Sequence, residues 1–232
     1  MLRTLVVSFN LLSNSCVLRQ LSSLCLLLTA CWCLAAPNNA LILQLAQLRY
    51  GDHAVKTVNA WQDMIVRNQS ATSTEKLNAV NIFFNQRIQF NDDLRVWNKA
   101  DYWATPLETI GRRQGDCEDF SIAKYISLLK AGVPINQLRM VYVKARIGSP
   151  SKNLTQSHMV VAFYPSPNAD PLILDNLNPK ILHASQRRDL LPVFSFNSSG
   201  LWVQGQSKPV GNAQQRLSRW RDLLTRMQAE GI

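Results

Sequence analysis

Three side chains in this sequence are of the types that a thiol hydrolase needs. Cys117 lies at the predicted start of a helix, where free backbone N–H groups and the helix dipole favour a thiolate. His158 opens a predicted strand, and Asp175 follows three apolar residues at the end of the next strand, so its carboxylate should be buried and paired. The pattern favours a nucleophile, a base and an orienting acid, in that order.

A strand histidine without a nearby nucleophile is usually structural, so the role of His158 depends on Cys117. An oxyanion hole would need the backbone N–H of Cys117 and a second donor. Trp103 and Gln114 are the candidates for that donor.

Three acidic residues, Asp116, Glu118 and Asp119, flank the cysteine. In an ideal helix Glu118 and Asp119 point about 100° and about 200° around the axis from Cys117, which predicts that neither carboxylate faces the thiol. Their charge opposes a thiolate, and a hard cation such as Ca²⁺ bound there would offset it. Acidic residues are also common in the first turn of a helix, where they cap it. The residue types therefore do not decide between a metal site and simple capping.

The remainder of the chain must bring these residues together, and its pattern predicts helices first and strands afterwards. Helices are predicted over 41–67 with a break near Gly51, over 73–88 behind a capping box of Thr72 and Glu75, over 116–131 and over 214–227. Strands are predicted over 139–145, 158–164 and 171–177, with one or two more in 181–203, and 91–109 is predicted to be loop.

These elements predict an α+β fold, in which a buried central helix carries Cys117 at its N-terminal end and packs on an antiparallel sheet. Val160 and Ala162 alternate with the strand's other residues and share a face with His158. That face is expected to lie on the central helix and to bring His158 to the thiol.

The first 36 residues contain no acidic residue, and they end in an apolar run from Leu21 to Ala36. This predicts an export signal over 1–36 and a single domain over 37–232, with cleavage near Ala36 or Ala40. The run is about 16 residues long, which is short for a membrane span. The segment 28–31, Leu-Thr-Ala-Cys, resembles a lipoprotein cleavage box, so a lipid-anchored form is the alternative.

The positions of the cysteines restrict the possible roles of Cys117. Four of the five cysteines fall in the predicted signal, so the exported domain keeps Cys117 alone, and a lone thiol in an oxidising compartment is either buried and inert or functional.

The formal charge is +10, but the basic residues are scattered, with short pairs such as Arg112-Arg113 and Arg187-Arg188. A solvated basic surface, or attraction to acidic partners, is favoured over nucleic-acid binding.

Several motifs occur together in one order across about residues 45–205. They are Trp103 with Pro106-Leu107-Glu108, Gly-Asp-Cys-Glu-Asp-Phe-Ser-Ile-Ala-Lys-Tyr at 115–125, Leu-Arg-Met-Val-Tyr-Val at 138–143, His-Met-Val at 158–160, Leu-Asp-Asn-Leu at 174–177 and Arg-Asp-Leu-Leu-Pro-Val-Phe-Ser-Phe-Asn at 188–197. In this combination the chain resembles the bacterial transglutaminase-like cysteine proteinases of the LapG type.

The resemblance implies a papain-like, transglutaminase-type fold with Cys117, His158 and Asp175 as the triad. It implies a periplasmic, calcium-dependent endopeptidase that cuts the N-terminal region of a large cell-surface adhesin at a pair of alanines and so promotes detachment from a biofilm. An inner-membrane cyclic-di-GMP receptor is expected to sequester the protease through its periplasmic domain. Asp116, Glu118 and Asp119 are the expected Ca²⁺ ligands.

Residue types alone leave a second reaction open. Acyl transfer to an amine, as in transglutaminases and arylamine acetyltransferases, uses the same three side chains with a different second substrate. A binding module with a relic site is disfavoured, because all three residue types are intact.

Overall fold

The computed structural model describes residues 37–148, 154–204, 206 and 208–232. The chain divides into two compact units, residues 1–40 and 41–232, and of the first unit only residues 37–40 are described. The predicted export signal, 1–36, lies outside the described residues. In the described part of the chain, no helix has the length and apolar character to cross a membrane.

Helices form the first half of the described chain. They are α1 (Pro37–Tyr50), α2 (Asp52–Arg67), α3 (Ser73–Arg87), α4 (Asp93–Trp97), α5 (Pro106–Arg112) and α6 (Cys117–Lys130). The predicted break near Gly51 is confirmed, since this residue separates α1 from α2 with a φ of 81° that favours glycine. The predicted capping box of Thr72 and Glu75 opens α3.

The prediction that 91–109 is loop is wrong, because α4 and the start of α5 lie within it. Helix α5 begins with a second capping box, formed by Thr105 and Glu108, and with Pro106 in its first turn. Two short strands, β1 (Gln89–Phe90) and β2 (Gln114–Gly115), pair in parallel and close this segment at its two ends.

Six strands in the described residues form one antiparallel sheet in the order β6-β5-β4-β3-β7-β8. They are β3 (Leu138–Ile147), β4 (Leu154–Phe163), β5 (Leu172–Leu174), β6 (Leu182–His183), β7 (Leu190–Asn197) and β8 (Gly200–Val203). The region 181–203 therefore holds three strands, more than the one or two predicted. The predicted C-terminal helix divides at Leu217 into α7 (Ala213–Arg216) and α8 (Ser218–Ala229).

The predicted α+β class with a buried central helix is confirmed. Helix α6 is buried along most of its length, and the indole of Trp61 in α2 donates a 2.7 Å hydrogen bond to its Ser127. Met159 and Val161 of β4 join the main core with α6. Val160 and Ala162 belong to a smaller apolar cluster on the other face of the sheet, because successive strand residues point to opposite sides.

Candidate active site and metal site

Helix α6 begins at Cys117, and Asp116 caps it. The Oδ1 atom of Asp116 accepts the backbone N–H groups of Glu118 and Asp119, at 3.1 and 3.3 Å. Cys117 is the free cysteine of the described residues and is 9% exposed. The cap therefore fixes a nearly buried thiol in the first turn of the central helix.

The thiol is hydrogen-bonded to its neighbour in sequence. Cys117 Sγ donates to Glu118 Oε2 at 2.7 Å. The expectation that Glu118 points away from the thiol is wrong, because the glutamate side chain has enough torsional freedom to turn back along the helix. Burial, followed by the charges of Glu118 and Asp116, raises the pKa of the Cys117 thiol far above its usual range.

Helix α6 contacts β4 along one edge of the strand, at residues that do not pair with β5. Strand β5 pairs only with residues 161–163 of β4, which leaves the backbone of Met159 free on that side. The Met159 N–H faces the Cys117 sulfur and acts to lower the pKa of its thiol, and the Met159 carbonyl accepts a 2.9 Å bond from Ser121 Oγ of α6.

This contact corrects the prediction about the face that carries His158. Val160 and Ala162 lie in the outer cluster, not on the helix. Cys117 approaches β4 at Met159, on the edge of the strand that lacks a partner strand there, and His158 is the preceding residue of that strand.

His158 and Asp175 form a buried pair. His158 Nε2 and Asp175 Oδ1 are 2.8 Å apart, and each residue is 1% exposed. An ionised carboxylate only accepts hydrogen bonds, so Nε2 carries the hydrogen in this pair. The Nδ1 atom is buried and has no partner among the described residues, which leaves it as the nitrogen that can accept a proton. In this structure the thiol bonds to Glu118 instead of His158.

Asp175 is ionised in spite of its burial. Burial alone would raise the pKa of its carboxyl, but the hydrogen bond and charge of His158, the N–H of Leu177 and the guanidinium of Arg187 lower that pKa to about 2. Arg187 Nη2 lies 2.7 Å from Asp175 Oδ2. A negative charge opposite Nε2 stabilises an imidazolium, which is the task of the acid in a triad.

The backbone of Asp175 is held by two further groups. Its carbonyl accepts from Lys124 Nζ at 3.0 Å and from Asn85 Nδ2 at 2.9 Å. Lys124 and Arg187 were not predicted as neighbours of Asp175. No local pattern joins them to Asp175, because each contact crosses between elements distant in sequence.

Three carboxylates converge next to Cys117 in the structure. Oxygen atoms of Asp93, Asp116 and Asp119 lie within 4.8 Å of one another. Asp116 and Asp119 were predicted as metal ligands, whereas Asp93 was not. The third predicted ligand, Glu118, is not in this group, and its carboxylate contacts the thiol.

The acidic cluster suits a cation. Asp119 Oδ1 accepts the Ala104 N–H at 2.7 Å and Asp93 Oδ2 accepts the Tyr102 N–H, yet Asp93 Oδ1 and Asp119 Oδ2 are buried with no partner among the described residues. Burial and the neighbouring carboxylates raise the pKa of Asp116 to about 9. Converging carboxylate oxygens with unused acceptor capacity are the donor set that Ca²⁺ prefers.

The two candidate oxyanion donors have other contacts in this structure. Gln114 Oε1 accepts a 2.9 Å bond from Asn91 Nδ2. The Trp103 ring stacks on Phe196 with centroids 5.7 Å apart, and the Trp103 carbonyl accepts from Arg226. The second oxyanion donor stays a prediction.

Comparison with known proteins supplies a family and several solved structures. The model of the family described as bacterial transglutaminase-like cysteine proteinase, BTLCP, matches residues 48–208. No curated protein matches the chain.

Three structures of LapG from Legionella pneumophila are similar to this one at 41% sequence identity, and each comparison covers 80% of this chain. The EGTA-treated form has a TM-score of 0.69 with 95% of its chain covered, a second form has 0.68 with 95%, and the calcium-bound form has 0.67 with 97%.

Proposed function

Because the chain belongs to the bacterial transglutaminase-like cysteine proteinases, we propose that it is a calcium-dependent endopeptidase whose nucleophile is Cys117. The observation that carries the proposal is the buried pair of His158 and Asp175. His158 Nδ1 has no partner among the residues that the structure describes, and His158 lies on the strand whose edge contacts the thiol. Cysteine proteinase activity follows from the family, and the residue roles rest on this geometry.

The proposed reaction uses the three side chains in turn. His158 Nδ1 takes the thiol proton, and the Cys117 sulfur attacks the scissile carbonyl while Asp175 stabilises the imidazolium. The C–N bond then breaks as His158 returns the proton to the leaving amine, and a thioester remains on Cys117. Water, losing a proton to His158, hydrolyses the thioester, which releases the carboxylic acid and restores the thiol.

Asp93, Asp116 and Asp119 would hold the calcium ion, and Glu118 is kept as a proposed ligand because its charge acts on Asp116. When bound, the ion would supply positive charge that offsets the carboxylates beside the sulfur. The likeness to a calcium-bound LapG structure supports the choice of metal.

The substrate, location and partner are proposed from the family resemblance. We propose that residues 1–36 direct export to the periplasm, with a lipid-anchored form as the alternative. There the enzyme would cut the N-terminal region of a large surface adhesin at a pair of alanines and so promote detachment from a biofilm. The periplasmic domain of an inner-membrane cyclic-di-GMP receptor would bind the protease and inhibit it.

A cleavage assay tests the proposal. The full chain is incubated with calcium and a recombinant N-terminal adhesin fragment that contains an Ala-Ala step, and the products are separated by gel electrophoresis. Two product bands are expected from the wild type and none from Cys117→Ala. EGTA should suppress cleavage and added calcium should restore it.

Two results would overturn parts of this proposal. Cleavage by a folded Cys117→Ala protein would remove the nucleophile, and activity indifferent to EGTA would remove the calcium requirement. A labelled amine added to the same reaction tests acyl transfer: incorporation of the amine in place of free carboxylate product would favour a transferase. The isolated periplasmic domain of the receptor should reduce cleavage in proportion to its concentration.

A further inference from the structure

The basic pair Arg187-Arg188 consists of two residues in opposite environments. Arg187 is 4% exposed, whereas Arg188 is exposed. Arg187 follows a 3₁₀ turn, Ala184–Gln186, and precedes β7. Removing a guanidinium from water costs a large amount of free energy unless the charge is paired. The partners of Arg187 therefore indicate its role.

Arg187 bridges two carboxylates. Its Nη2 donates to Asp175 Oδ2 at 2.7 Å and to Asp189 Oδ2 at 2.7 Å, and its Nε donates to Asp189 Oδ1 at 3.0 Å. The contact to Asp189 is bidentate, which fixes the plane and direction of the guanidinium. Asp189 is half-buried, so it anchors Arg187 from the surface side of the pair.

Asp175 needs such an anchor because it lies beyond its strand. Strand β5 ends at Leu174, and no ladder hydrogen bond of the sheet reaches the next residue. Asp175 Oδ1 accepts from His158 Nε2 and from the Leu177 N–H, and Arg187 is the side chain that holds Oδ2. Without Arg187 the buried Oδ2 would have no donor within the described ranges of the chain, and the carboxylate could turn away from His158.

We propose that Arg187 is a positioning residue of the protease, which acts through Asp175 to hold the His158 imidazole in place for Cys117. The inference rests on the proposed function, since it assigns Arg187 to the same triad. The charged groups that face Asp175 are His158 from β4, Arg187 and Asp189 from the segment before β7, and Lys124 from α6 through the backbone carbonyl.

Steady-state kinetics on the adhesin fragment separate positioning from substrate binding. Arg187→Met should lower kcat about 10- to 100-fold with KM within about twofold, because a misplaced base slows the chemistry without removing a substrate contact. Arg187→Lys keeps the charge but not the bidentate geometry and should recover part of kcat. Arg188→Met, the exposed neighbour, should match the wild type.

Alkylation of Cys117 tests the inference without any substrate. The full-length, calcium-loaded protein is treated with iodoacetamide between about pH 5 and 8, the range in which a histidine titrates, and the tryptic peptide 114–124 is followed by mass spectrometry. In the wild type, His158 should keep the thiol reactive near pH 6. Arg187→Met should react about tenfold more slowly there, and Arg188→Met should not differ from the wild type.

The outcomes test the triad and the role of Arg187 separately. Wild-type Cys117 that is inert below the usual thiol pKa would count against the triad itself. A folded Arg187→Met protein with wild-type alkylation and kcat would overturn the role of Arg187 alone. If Arg187→Met does not fold, Asp189→Asn replaces it: loosening the bidentate anchor should lower kcat less than Arg187→Met in the same direction, and an unchanged kcat and alkylation profile would overturn the inference.

Discussion

At the level of single residues, the two ring nitrogens of the proposed base differ in their contacts. His158 Nε2 is 2.8 Å from an ionised carboxylate, whereas Nδ1 is buried and has no partner in the part of the chain that the structure describes. In the proposed reaction the thiol proton therefore moves to Nδ1 while the pair with Asp175 persists.

Replacing Asp175 by asparagine should therefore affect the rate of the reaction more than the stability of the protein. Asp175→Asn removes the charge that stabilises the imidazolium and offers an amide to two donors, His158 and Arg187. We expect kcat to fall by about 10²- to 10⁴-fold, by analogy with the acid of serine protease triads. Asp170→Asn, an exposed acid that bonds Ser185, is the control in the same kinetic assay. Wild-type turnover by Asp175→Asn would point to another orienting group.

The same carboxylate should make the protein sensitive to acid. The pKa of Asp175 is about 2 in the folded protein, below the usual unfolded value of about 3.9, so its stabilising contribution is complete above about pH 4 and is lost as the pH falls towards 2. A shift of this size corresponds to ~2 kcal/mol.

Urea denaturation at several pH values checks this expectation. The free energy of unfolding should fall more steeply for the wild type than for Asp175→Asn between about pH 4 and pH 2, because the variant lacks this titration. Equal slopes for the two proteins would contradict it.

At the level of elements, one face of α6 carries the proposed nucleophile and two residues that bond the sheet. Cys117, Ser121 and Lys124 are spaced i, i+4 and i+7 and so lie on one face of the helix. Ser121 bonds the β4 backbone, and Lys124 bonds the carbonyl of Asp175. This face therefore aligns the thiol with the strand that carries the proposed base and with the residue that follows β5.

Helix α4 should contribute to calcium binding through Asp93. Asp93→Asn removes a charge from the three-carboxylate cluster and should weaken Ca²⁺ binding at least about tenfold, because Ca²⁺ affinity depends on the charge of its ligands. Asp92→Asn is a matched control, since Asp92 is the exposed neighbour and lies outside the cluster. Isothermal titration calorimetry measures both, and equal affinities for Asp93→Asn and the wild type would exclude Asp93 as a ligand.

Some residues of the site and of its supporting helices carry a local sequence signal, and others do not. The central helix was predictable from its cap at Asp116 and its apolar run, and α5 could have been found from Thr105, Pro106 and Glu108, which repeat the signal that located α3. Asp93 could not have been found in this way, because no local pattern links it to Asp116, which caps a different helix later in the chain. The position of Glu118 was mispredicted because helical angles describe the direction of Cβ and not the reach of a long side chain.

At the level of the whole molecule, the C-terminal helix packs on the core next to the segment that precedes α5. Trp220 of α8 is fully buried against Tyr125 of α6 and Phe196 of β7, with ring centroids 6.0 and 5.5 Å apart. Arg226 of the same helix donates to the carbonyl of Trp103 at 2.6 Å and pairs with Glu108. Helix α8 therefore ties the helical layer and the sheet together at one place.

Trp220→Ala should destabilise the protein by about 3–5 kcal/mol, the usual cost of truncating a buried aromatic side chain. Trp202→Ala is the control, because Trp202 is only half-buried on the edge strand β8 and should cost less. Urea denaturation followed by circular dichroism gives both values. A loss below about 1 kcal/mol for Trp220→Ala, within the range of surface substitutions, would show that α8 is not required by the core.

The distribution of function along the chain has a temporal consequence. Cys117 and the carboxylate cluster belong to residues 93–119, whereas the proposed base and acid lie at positions 158 and 175 and the buried arginine at 187. During synthesis the sulfur is therefore made before the imidazole that is proposed to activate it. In the proposed reaction, peptide-bond cleavage requires synthesis to have passed Asp175 and Arg187, so a chain that stops before these residues would be inactive.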